Sequence, residues 1–105
     1  AFRVIADTGT AAALLSSASA SSTTSSAAIR YTVGESATTS VRILQNGRPV
    51  VNLTANRSDV AGSKLVSWNL RDTNGRRVRP GVFVAEIRAT ANGKTETKTA
   101  SFLVR

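Results

Sequence analysis

From residue 28 onward, apolar and polar side chains alternate with a period of two, and turn-forming pairs interrupt the alternation. Ile29, Tyr31 and Val33 enclose Arg30 and Thr32; Val41 and Ile43 flank Arg42. Phe83, Ala85, Ile87 and Ala89 form a longer run, with Glu86 and Arg88 between them. Strand side chains point to opposite sides in turn, so each run gathers its apolar set on one face. A one-sided apolar strand needs a second layer to cover it. Asn46-Gly47 and Asn92-Gly93 suit the left-handed dihedrals of two-residue hairpins. Val51 and Leu53 continue the return strand of the first hairpin, and Ala100, Phe102 and Val104 are the inward set after the second. Val66, Trp68 and Leu70 supply a further inward set. Pro49 follows a hairpin and Pro80 precedes a strand, so neither interrupts a ladder. The spacing predicts an all-β fold: an Ig-like or fibronectin-type antiparallel β-sandwich of about seven strands with an N-terminal extension.

Composition divides the chain into an arm, residues 1–27, and a sandwich domain, residues 28–105. Residues 16–28 are almost wholly Ser, Thr and Ala and read as a linker, because they carry too little apolar surface to offset the entropy of ordering. Ahead of them, Phe2, Val4 and Ile5 belong to a short β-prone segment. Leu14 and Leu15 close a stretch, residues 11–17, that suits strand or helix and is too short to stand without a partner surface.

The stretch from Ala61 to Phe83 holds the only Trp. It carries Ala61-Gly62, Trp68-Asn69, Asp72, Gly75 and Gly81-Val82-Phe83 in order. In this it resembles the Ig-like module of the flagellar hook-capping protein, which recurs as a tail domain of secreted bacterial proteins. Residues 28–33 and 41–44 resemble that family's opening strands, so the likeness covers about residues 28–105. It implies a scaffold fold with Trp68 and Phe83 as core markers, and it assigns no chemistry.

The chain has no His and no Cys, which removes the usual base, the usual thiol nucleophile and the usual transition-metal ligands. Ser63 and Lys64 are adjacent on a strand and point apart, so they are not a dyad. Asp59 and Asp72 bracket one strand at opposite ends, whereas a glycosidase needs facing carboxylates. Asp72 is expected instead to cap the turn at Asn74-Gly75. The expectation is a protein that is not an enzyme, with no cofactor and no metal site.

Fourteen basic residues stand against six acidic ones, a formal charge of +8, and eleven of the fourteen are Arg. Such a balance favours an anionic partner, and arginine favours fixed bidentate contacts. Codon usage or thermal adaptation accounts for the arginine preference equally well. Arg71, Arg76, Arg77 and Arg79 are the densest basic cluster and the candidate anion contact, to be weighed against a solvated loop. Acidic polysaccharide or an anionic envelope are the candidate partners. Nucleic acid is disfavoured because the aromatics read as inward rather than as stacking platforms.

No apolar run approaches the ~20 residues that span a bilayer. A start at Ala-Phe has the appearance of signal-peptide cleavage, or of a fragment boundary, and the first of these gives an extracellular, cell-surface location. The leading functional expectation is a secreted, non-catalytic subunit of a pilus-like filament. It would assemble head to tail with itself by donating Phe2, Val4, Ile5, Leu14 and Leu15 to a neighbour's sheet edge. The alternatives are a cell-surface attachment or glycan-binding module and, following the resemblance to the letter, a hook-cap scaffold.

Overall fold

The computed structural model describes residues 14–105, and the sandwich expected from the alternation is the fold observed. Its strands are β1 (Leu15–Ser22), β2 (Ala27–Val33), β3 (Ala37–Gln45), β4 (Arg48–Asp59), β5 (Gly62–Trp68), β6 (Gly81–Ala91) and β7 (Lys94–Val104). They form two antiparallel sheets, ordered β1-β2-β5 and β4-β3-β6-β7. Among the described residues no helix is long and apolar enough to cross a membrane.

Both Asn-Gly pairs make the predicted hairpins. Asn46 and Gly47 have φ of 54° and 78°, and Asn92 and Gly93 have φ of 52° and 76°. Two consecutive left-handed residues match the right-handed twist of the strands they join. The turns set Gln45 opposite Arg48 and Ala91 opposite Lys94.

Between the sheets, Ile29, Tyr31 and Val33 of β2 meet Val41 and Ile43 of β3 and Phe83, Ala85, Ile87 and Ala89 of β6, all of them buried. Trp68 closes one end of this core. Its ring meets Phe83 edge-on at 5.5 Å and Phe102 edge-on at 6.0 Å, a geometry worth about 0.5–1.5 kcal/mol per pair beyond area burial. Its indole N–H donates to the Arg71 carbonyl at 2.9 Å, so the buried polar atom is satisfied.

One sequence expectation is corrected. The Ser/Thr/Ala stretch is not a linker: it forms β1 and pairs antiparallel with β2, from Leu15 opposite Val33 to Ser22 opposite Ala27. The sandwich therefore starts well before residue 28. Leu14 and Leu15 are 3% and 0% exposed in the chain's own core, and Ala18 and Ala20 pack beside them. Backbone hydrogen bonding stabilises this strand irrespective of side-chain size, and its small side chains fit where the two sheets converge.

That convergence also covers an edge. The Leu15 N–H donates to Glu96 Oε1 of β7 at 3.1 Å, and Ser22 Oγ donates to the Leu103 carbonyl. The strands at the opposite side, β4 and β5, are the outer members of their sheets. Pro49 near its start, register shifts against β3 and Asn56 at φ 51° break up the β4 edge. By contrast, β5 pairs with β2 through seven consecutive residues without a shift, and its Leu65 is 51% exposed.

Candidate functional site: an arginine-rich end of the sandwich

The chain order brings the β1–β2 turn, the β3–β4 hairpin, the β5–β6 loop and the end of β7 to one end of the sandwich. The stacking of the sheets there is fixed by contacts between them. Thr73 Oγ1 donates to the Val50 carbonyl at 3.1 Å, and Arg77 Nη2 donates to the Thr24 carbonyl at 2.7 Å. Arg48, Arg71, Arg76, Arg77, Arg79 and Arg105 all fall at this end, against Asp72 as the side-chain carboxylate there among the described residues. The four arginines predicted as an anion contact are thus gathered on one loop, and Arg48 joins them from a hairpin about 25 residues away in sequence. Only that hairpin's docking on the loop reveals it.

The β5–β6 loop is tightly tied. Asp72 Oδ1 accepts from the backbone N–H groups of Asn74 at 2.9 Å and Arg76 at 3.0 Å, the predicted cap. The Gly75 N–H donates to the Asp72 carbonyl, and the Asp72 N–H to the Arg76 carbonyl. The Val78 N–H donates to the carbonyl of Leu70, a buried leucine held at φ 62°. Arg71 Nη1 donates to the Gly75 carbonyl at 2.9 Å. Ion pairs among the described residues join Arg42 to Glu86 at 2.6 Å and Arg57 to Asp59 at 3.0 Å, and neither lies in this loop. Arg76 and Arg79 are exposed and line a shallow depression with Gln45, Pro49, Thr73 and Asn74.

The remaining sequence-predicted positions separate. Trp68 and Phe83 are core, as expected. Leu14 and Leu15, predicted as part of a donated arm, are buried in their own sandwich instead, because β1 completes the chain's own sheet. Phe2, Val4 and Ile5 lie outside the described residues.

The alternation gave no hint of one buried polar group. Asp59 is 8% exposed and Thr39 is 0% exposed. Asp59 Oδ2 accepts from the Thr39 hydroxyl at 2.6 Å and the Tyr31 hydroxyl at 2.8 Å, while Oδ1 accepts from Arg57 Nε at 3.0 Å. Arg57 Nη2 also donates to the Tyr31 oxygen at 2.8 Å. Burial pushes the Asp59 carboxyl up, but the hydrogen bonds from Thr39, Tyr31 and Arg57 and the guanidinium charge outweigh it and hold the group below the usual carboxylate range. Burial raises the Tyr31 phenol. The only sequence signal was Asp59 at the close of a strand-like run, two residues after Arg57, and neither residue names its partners across the fold.

Two antiparallel sheets of three and four strands, with a Trp anchoring one end, define a β-sandwich. No family model and no curated protein matches the chain. Among solved structures, the crystal structure of FlgD from P. aeruginosa matches with a TM-score of 0.64 and 23% identity, over 78% of this chain and 65% of that one. The chain therefore spans somewhat less than two thirds of the FlgD chain it matches. At that identity the likeness is one of fold. It agrees at that level with the resemblance carried by Trp68-Asn69, Asp72, Gly75 and Gly81-Val82-Phe83.

Proposed function

We propose that this chain is a non-catalytic structural module of an assembly outside the bacterial cytoplasm, a scaffold of the flagellar hook-cap type. The fold likeness to FlgD is the observation that carries it. The fate of the carboxylates supports the non-catalytic reading. Asp59 is consumed in the buried network, Asp72 caps a turn, and Glu86 pairs with Arg42. Glu96 accepts from the Leu15 amide, and Glu35 accepts from Asn92 Nδ2 at 3.1 Å. Each of these five is used by the fold, leaving no pair among the described residues poised across a cleft for acid and base work. Immunogold electron microscopy in the source cells tests the scaffold reading. Label at the tip of growing hooks supports it, and label confined elsewhere overturns it.

A second reading is a self-assembling fibre in which residues 2–5 add to a neighbour's sheet. It is favoured by the β5 edge, regular and unpaired among the described residues, with its exposed Leu65. Negative-stain microscopy decides it. Filaments that vanish when residues 1–6 are removed support it, and a monomer of 11.0 kDa in solution overturns it.

A further inference from the structure

We propose that the arginine-rich end of the sandwich is a binding site for an acidic polysaccharide, with Arg76 and Arg79 supplying the principal contacts. This goes beyond the scaffold reading and does not depend on it.

Three features support the site. First, the fold concentrates like charge where it is unfavourable to do so: the arginines at this end have no ion-pair partner within the described residues, although such pairs form elsewhere in the chain. Mutual repulsion of clustered guanidinium groups is relieved by a bound anion. Second, the cluster is held in place. Asp72 fixes the loop backbone, Thr73 ties it to the β3–β4 hairpin, and Arg77 ties it to the β1–β2 turn. Arginines mounted on a rigid loop lose less conformational freedom on binding. Third, the depression beside them offers Gln45 and Asn74 amides next to the guanidinium forks, a combination suited to sugar hydroxyls alternating with carboxylates.

Nucleic acid fits less well, because Tyr31, Trp68, Phe83 and Phe102 are buried and, among the described residues, no aromatic is left at this end to stack on a base.

The test uses the full chain, with polygalacturonate as the probe and neutral dextran, a short DNA duplex and phosphatidylglycerol vesicles as comparators. The double variant Arg76→Ser/Arg79→Ser removes two charges without breaking any of the hydrogen bonds that tie the loop. Arg88→Ser/Lys94→Ser removes the same charge from exposed positions elsewhere. Thermal unfolding followed by Trp68 fluorescence verifies that both fold. The expected result is binding to polygalacturonate that weakens on the order of tenfold in the first variant and less than about twofold in the second, and that falls with added salt. Equal weakening in both variants shows diffuse charge attraction and overturns the site. So do equal binding of dextran, tighter binding of DNA or vesicles, and no binding at low salt.

Discussion

The hydroxyl of Tyr31, on the three-stranded sheet, donates to Asp59 Oδ2 on the four-stranded sheet at 2.8 Å. Across an otherwise apolar sandwich this is a directional bond between layers. Apolar packing alone tolerates sliding of one sheet over the other, whereas a buried carboxylate with Tyr31, Thr39 and Arg57 as donors fixes their alignment.

Removing one donor should be costly, because the carboxylate stays behind with an unmet lone pair. Tyr31→Phe and Thr39→Val are each expected to destabilise the fold by about 1–3 kcal/mol. Urea unfolding monitored by Trp68 fluorescence measures it, and an unchanged midpoint would show that the network contributes nothing to stability.

Acid should act through the same group. The carboxyl of Asp59 titrates lower in the folded chain than its unfolded value of about 3.9. A depressed folded pKa contributes stability that is present above the unfolded value and is lost as pH falls through the folded one. Glu96 is held low too, by the backbone N–H groups of Leu14 and Leu15. Stability of the native chain is therefore expected to drop below about pH 4. The drop should be shallower in Asp59→Asn, a difference read from unfolding midpoints across the acid range.

Phe102 shares ring contacts with Trp68 and Phe83 at one end of the core. Phe102→Ala leaves a cavity that the sheets cannot close, at a cost of about 3–5 kcal/mol. That is a large part of the 5–15 kcal/mol typical of a whole domain. Circular dichroism should show a much lower melting temperature or an unfolded chain at room temperature.

If β1 is part of the sandwich rather than a tether, its amides should exchange slowly. Hydrogen exchange is expected to protect amides within Leu15–Ser22 comparably to those of β2, and Leu15→Ala to cost about 2–5 kcal/mol. Immediate exchange across this segment would restore the linker reading.

The loop that presents the arginines depends on Asp72. Asp72→Ala frees the backbone N–H groups of Asn74 and Arg76 and should cost on the order of 1 kcal/mol. It should also weaken polygalacturonate binding without removing a positive charge. Affinity at or above that of Asp72→Asn, which loses the same negative charge but keeps an acceptor oxygen for the two N–H groups, would show that loop rigidity does not matter to the site.

Local chemistry determined much of this protein. Period-two alternation specified which side chains of β2, β3 and β6 face inward, the Asn-Gly pairs set two hairpins, and Asp72 announced its own turn, because each depends on residues within a few positions of one another. Three features depended on residues far apart in the chain, and only the tertiary structure decided them. The small residues of Leu15–Ser22 gain strand structure from the edge of β2, although Ala18 and Ala20 at alternate positions hinted at it. Asp59 is stabilised in the core by donors from three separate strands. Arg48 comes to the same end of the sandwich as the basic loop because Thr73 docks that loop on the hairpin strand that begins at Arg48. Alternation shows which way a side chain points, but what it meets there depends on how the two sheets stack, and that is a property of the whole chain.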